Sequence, residues 1–166
     1  MNRKKLNFAS ITLLVVLALA LTTVSAASVH LKGGKHAMPA FTDNGLTLTA
    51  AGELAGLGNG DVLVELEAQA DATATCTNPA GQMQPPGQNP APVTVSGVQF
   101  IPEEEIEKNG TTPFTVTTDP PETPIPGAPG CPNVQWTEDI TDLAFTSATI
   151  TVYQGGNVVL VLYYEF

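Results

Sequence analysis

The sequence predicts an all-β protein: a two-layer antiparallel β-sandwich, immunoglobulin-like or jelly-roll-like, whose long Pro-rich loops are tethered by one disulfide. Three observations carry this expectation. Thr, Val, Ala, Gly and Pro are abundant, whereas Lys and Arg together number 6. Val and Thr favour strands, and Gly and Pro punctuate them. From Val62 to Cys76 apolar and polar residues alternate with a period of two, as they do in a strand with one dry and one wet face. Turn residues separate about eight or nine strand-like segments along the chain, the spacing of a sandwich. A closed barrel is the second architecture that fits. An immunoglobulin domain proper fits less well, because Trp136 follows the second cysteine instead of lying between the pair.

The chain begins with Arg3, Lys4 and Lys5, then an apolar run from Ile11 to Leu21, then the small residues Val24-Ser25-Ala26. That order reads as a secretory signal peptide over residues 1–26. The apolar run is short for a bilayer crossing, which needs about 20 residues. Removing the leader leaves about 140 residues at 27–166, enough for one β-sandwich domain with its own core. The expected location is secreted, either extracellular or on the cell surface, with no integral membrane association after leader cleavage. The exported part holds Lys32, Lys35 and Lys108 against 16 carboxylates, a formal charge of about −13. An acidic chain of this kind repels nucleic acid, whose binding depends on cations that neutralise phosphates.

In chain order, Ser28 to Leu31 is a possible short strand before a turn at Gly33-Gly34. Leu46 to Ala50 alternates and forms the next strand, and Gly56, Gly58 and Gly60 make a compact loop. Val62, Val64, Leu66, Ala68, Ala70, Ala72, Ala74 and Cys76 then share one parity, opposite Glu65, Glu67, Gln69, Asp71 and Thr73. The drop from Val and Leu to Ala implies that neighbouring elements approach closely over the second half. Asn78 to Pro92 is a loop without a packable face. Val93 to Val95 resumes a strand, and Gly97 is expected to shift its pattern to Val98 and Phe100 through a bulge.

Pro102 to Glu107 suits one or two helical turns, since proline and early carboxylates favour a helix start. Phe114 to Thr118 is a strand, and Asp119 to Pro132 is a second proline-rich loop. Val134 to Glu138 and Ile140 to Tyr153 follow as strands, the latter with a bulge near Thr146-Ser147 that reconciles its two apolar parities. Gly155-Gly156 closes a hairpin by supplying positive φ angles. The last strand, Asn157 to Phe166, is apolar on both parities. It is expected to be central, or to have one face covered by another element or another subunit.

Cys76 and Cys131 are the two cysteines. In an exported chain they read as one disulfide, beside the two proline-rich loops. It closes a loop of about 55 residues, worth roughly 4 kcal/mol on the chain-entropy estimate.

No residue pattern supports catalysis, and the chain reads as not an enzyme. Glu103, Glu104, Glu105 and Glu107 form one acidic cluster and Glu138, Asp139 and Asp142 another, but neither opposes two carboxyls across a substrate. Asp139 and Asp142, with Asp43 or Asp61, are the candidates for a calcium site, because calcium takes several oxygen ligands. No other cofactor is indicated. His30 and His36 are too few for zinc. Neither a nucleophile elbow nor a phosphate loop is present, and Asn109-Gly110-Thr111 matches a glycosylation sequon. Tyr153, Tyr163, Tyr164 and Phe166 cluster in the terminal hairpin as a possible interaction surface. An outer-membrane barrel fits poorly, because such barrels need many long strands and two aromatic girdles.

Phe41-Thr42-Asp43, the stretch from Leu54 to Val62, Cys76-Thr77-Asn78, Pro85 to Pro90, Gly130-Cys131-Pro132-Asn133, Trp136 and Phe145 to Ile150 resemble a family of small secreted bacterial β-rich proteins with one cysteine pair. The likeness spans nearly all of the exported chain. It implies a secreted β-rich domain and brings no activity and no catalytic residues. The function expected is that of a non-enzymatic structural or interaction protein, self-associating or meeting a cell-envelope partner through a sheet edge. A carbohydrate-, peptide- or calcium-binding module is the alternative.

Overall fold

The computed structural model describes residues 29–34, 36–87, 90–107 and 111–166. Residues 1–28 with the expected signal peptide, residues 108–110 with the sequon asparagine, and Lys35, Gln88 and Asn89 lie outside the described residues. Among the described residues ten strands form two antiparallel sheets. The small sheet is built on β3 (Leu48–Ala55), flanked along its length by β7 (Thr111–Thr117). Its other edge is shared by β1 (His30–Leu31) and β2 (Ala40–Asp43). The large sheet is built on β4 (Val62–Thr77) and β9 (Thr137–Gln154), the two longest strands. β6 (Val93–Ile101) pairs with β4, and β10 (Asn157–Glu165) pairs with β9. The two-residue strands β5 (Met83–Gln84) and β8 (Ile125–Pro126) extend the far end of this sheet.

Alternation in β4 is obeyed throughout. Val62, Val64, Leu66, Ala68, Ala70, Ala74 and Cys76 are buried, and Glu67, Gln69 and Asp71 are exposed. One core lies between the sheets and draws Leu54, Phe114 and Val116 from the small sheet and Leu66, Leu143, Ile150 and Val152 from the large one. Burying a Leu, Val, Ile or Phe side chain contributes about 2 kcal/mol each, which makes this core the principal source of stability.

Strand β9 has two bulges against β4. Its register skips between Gln69 and Ala70 and again between Thr73 and Ala74, leaving Thr146 and Thr141 as the extra residues. The hydroxyls of both threonines donate to backbone carbonyls on β4, Thr146 to Gln69 at 3.2 Å and Thr141 to Thr73 at 3.2 Å. Each bulge therefore satisfies a carbonyl that the broken ladder exposes. The expected bulge at Thr146-Ser147 is present, and it brings Leu143 and Ile150 to the same face. Gly155 and Gly156 have φ of 56° and 79°, as a two-residue hairpin requires.

Several expectations are revised. β9 begins at Thr137, and residues 131–135 form bends and turns, so Val134 to Glu138 is not a separate strand. β6 keeps an unbroken register with β4, so Gly97 marks no bulge. A Cβ there would sit 2.0 Å from the Thr117 carbonyl oxygen, so the glycine is needed because β7 passes directly over it. β2 occupies a segment with no strand expectation, and the predicted helical turns reduce to one 3-10 turn, Glu103–Glu105. The doubly apolar β10 is an edge strand of the large sheet, not a central one.

Cys76 and Cys131 form the disulfide, with a Cα separation of 5.6 Å. The bridge joins the end of β4 to a loop, so it is not the inter-sheet bridge of an immunoglobulin domain. Together with Ala128 and the flanking Trp136 it forms a second, much smaller apolar cluster. Gly87 N–H donates to the Gly130 carbonyl at 2.8 Å and ties one proline-rich loop to the other.

Candidate functional site

Pairing register determines which side chains meet on the outer face of the large sheet. Phe100 of β6, Leu63 of β4, Tyr153 of β9 and Val158 of β10 fall in one row. The next row is Val98, Glu65, Thr151 and Val161, and the third is Ser96, Glu67, Thr149 and Tyr163. Among the described residues no other element covers this face at its apolar positions: Val98 is 63% exposed, Phe100 60%, Val161 56% and Tyr163 62%. Isolated exposed apolar residues are ordinary on a protein surface, whereas a contiguous group marks an interaction surface.

The end of this face next to the hairpin turn is concave. Gln154 holds the glycine loop through its side chain, donating to the Gly58 carbonyl at 2.8 Å and accepting from the Gly58 N–H at 3.0 Å. Asp61 Oδ1 accepts from the Glu103 N–H at 3.0 Å and anchors the 3-10 turn against the same loop. Between them lies a hollow of about 590 Å³ lined by Asp61, Leu63, Phe100, Glu103 and Tyr153. Tyr153 donates its phenol proton to Glu65 Oε2 at 3.0 Å. That bond, then the Glu65 charge and then loss of solvent raise the Tyr153 pKa above its ordinary 10.0.

The four aromatics expected to act together are divided between two faces. Tyr153 and Tyr163 lie in the outer rows. Tyr164 and Phe166 instead meet Phe41 of β2 in edge-on contacts, with ring centroids 5.2 and 5.0 Å apart. Burial raises the Tyr164 pKa. These two rings therefore close the seam between β10 and the small sheet, a structural task.

The calcium candidates sit on β9 opposite Thr75 and Thr73. Asp139 Oδ2 accepts from the Thr77 hydroxyl at 3.2 Å, and Asp142 lies beside the turn at Gly45. Asp43 Oδ1 is taken up by the Gly45 N–H at 2.8 Å. Asp61 is at the opposite end of β4, on the order of 35 Å from Asp142 at the usual rise per strand residue. Asp139 and Asp142 share the outer face of β9, but among the described residues no group of three or more His, Cys, Asp or Glu side chains is arranged to hold a metal ion.

Val98, Phe100, Val158 and Val161 were not expected on the outer face. The signal that finds them is the uninterrupted parity Val93, Val95, Gly97, Gln99, Ile101, which leaves Val98 and Phe100 on the other side. No helix among the described residues is long and apolar enough to cross a membrane. The closed disulfide is compatible with an oxidising, extracellular setting. Comparison with protein-family models, with curated proteins and with solved structures gives no match.

Proposed function

We propose that this chain is a secreted, non-enzymatic interaction protein that assembles with a second copy of itself through the edge of β10. The observation that carries the proposal is an edge strand with an apolar outer face and little protection. Among the described residues β10 has a hydrogen-bonded neighbour on one side only, and Val158, Val161 and Tyr163 stand exposed on it. Natural edges are blunted by lysine, proline, charge or bulges. β10 has no lysine or proline, one bulge between Val158 and Leu160, and one charge, Glu165. Pairing two β10 edges antiparallel joins two large sheets and continues the apolar rows across a two-fold axis. Stacking the outer faces directly is disfavoured, because Glu65 and Glu67 of one copy then oppose those of the other.

Sedimentation of the oxidised protein over a range of concentrations tests this. The expected result is a monomer–dimer equilibrium that Val161→Lys and Tyr163→Lys each shift to monomer, since lysine on an edge opposes pairing. A monomer at every concentration, or a dimer indifferent to both substitutions, overturns it.

The concavity beside Phe100 and Tyr153 favours a second reading, a carbohydrate-binding module. Aromatic rings there offer stacking faces, and Asp61 and Glu103 offer acceptors for hydroxyls. A glycan screen in which Phe100→Ala abolishes every hit supports that reading, and a screen without hits removes it. Membership of the resembled family of secreted β-rich proteins is part of the same proposal and rests on the quoted sequence stretches.

A further inference from the structure

Beyond the small sheet, the inner face of the large sheet is covered by the two proline-rich loops, and a groove of about 460 Å³ runs beneath them. Its walls are apolar and include Pro92, Val93, Ile125, Pro129 and Ile140. One charged side chain enters it, Glu138 of β9, which is 6% exposed. Glu138 Oε1 is buried and has no hydrogen-bond partner among the described residues. Buried polar atoms are nearly always hydrogen-bonded, so each exception needs an explanation.

The walls do not supply the missing donor. Pro90, Pro92 and Pro129 line the groove and have no backbone N–H, and no N–H of the other lining residues reaches Glu138 Oε1. Lys32, the one Lys or Arg among the described residues, is engaged with Glu53 at 2.6 Å. The missing group must therefore donate a proton, is favoured by positive charge, and must be attached to something that suits apolar walls. The chain's net charge of −10 draws cations and disfavours anions.

We propose that the groove binds a primary ammonium group at the end of an aliphatic chain, with the Glu138 carboxylate as its acceptor and Val93, Ile125 and Ile140 along the chain. An ammonium has three donors and no acceptor, and a volume of this size takes a chain of several methylenes. The same chemistry is offered by a free alkylamine and by the lysine side chain of a polypeptide. This site is separate from the β10 edge and does not depend on assembly through it.

Amide chemical-shift titration of the oxidised protein tests the assignment with four probes: n-pentylammonium, n-pentanol, methylammonium, and a lysine blocked at both backbone ends. Pentylammonium is expected to shift amides around Val93, Ile125 and Ile140. It is expected to bind about tenfold or more tightly than pentanol, the weight of a hydrogen bond to a charged group. Methylammonium lacks the apolar chain and is expected to bind more weakly. Binding of the blocked lysine assigns the site to polypeptide side chains, and binding of pentylammonium alone assigns it to free amines.

Glu138→Gln keeps the shape and is expected to abolish the preference of amine over alcohol. Ile125→Ala changes only a partly exposed wall and is expected to weaken pentylammonium but not methylammonium. Equal affinity for pentylammonium and pentanol, unchanged binding in Glu138→Gln, shifts confined to the outer face, or no shifts at all would each overturn the proposal.

Discussion

Strand β4 passes through two different environments. From Val62 to Ala70 its inner side chains lie in the core between the two sheets, beneath Leu54, Phe114 and Val116. Around Cys76 the same face packs against the small apolar group of Ala128, Cys131 and Trp136, supplied by a loop and a turn. The first region is held by apolar side chains drawn from both sheets. The second has too little apolar surface for that, and a disulfide, one loop-to-loop hydrogen bond and two-residue ladders at β5 and β8 take its place. A covalent link is most useful where side chains contribute least, because it restricts the unfolded chain without needing buried area. The loop-covered region is also where one carboxylate oxygen, Glu138 Oε1, is buried with no partner among the described residues, as a loosely covered site tolerates more readily than a tight core.

The largest effect is expected in the sheet-covered region. Gly97→Val forces a side chain into the Thr117 carbonyl, which is backbone and cannot turn aside. A loss of about 4 kcal/mol or more, or failure to fold, is expected in urea denaturation. Leu66→Ala in the same core is expected to cost about 3 kcal/mol.

The paired change Cys76→Ala with Cys131→Ala is expected to cost about 2–4 kcal/mol. Limited proteolysis of that variant should cut first within Asn78 to Pro92 and Asp119 to Pro132 and leave β6 and β7 intact. Cuts spread evenly along the chain would erase the distinction between the regions.

The smallest effect is on the outer face. The Tyr153–Glu65 bond raises the folded pKa of the phenol, so its stabilising contribution is complete below 10.0 and is lost as pH rises through the elevated folded value. Spectroscopic titration of the tyrosines should show one phenol ionising later in the native protein than in Glu65→Gln.

How much of this was legible beforehand follows the same division. β4 could be read directly, because Val62 to Cys76 keeps a strict period of two and a strand buried on one face must. The Thr146 bulge was legible from the clash of parity between Phe145 and Ala148. The role of Gly97 was not, since a glycine in a strand signals a bulge or a close approach equally, and only the position of β7 decides. That choice also hid Val98 and Phe100. β10 misled because apolar residues on both parities usually mean burial; here the second apolar face is exposed at an edge. Glu138 was grouped with Asp139 and Asp142 as one acidic cluster, although it falls on the parity of Trp136 and Ile140 and so on the inner face. The calcium candidates Asp139 and Asp142 do share a face of β9, opposite Thr75 and Thr73, because the Thr141 bulge restores their parity, but among the described residues no third acidic or imidazole side chain joins them.

Hydrogen exchange along β4, before and after reduction of the Cys76–Cys131 bridge, tests the division most directly. Amides from Val62 to Ala70 should keep nearly all of their protection on reduction, while those near Cys76, and those of β5 and β8, should lose theirs. A uniform fall in protection along the whole strand would contradict it, by showing that the bridge supports both regions alike.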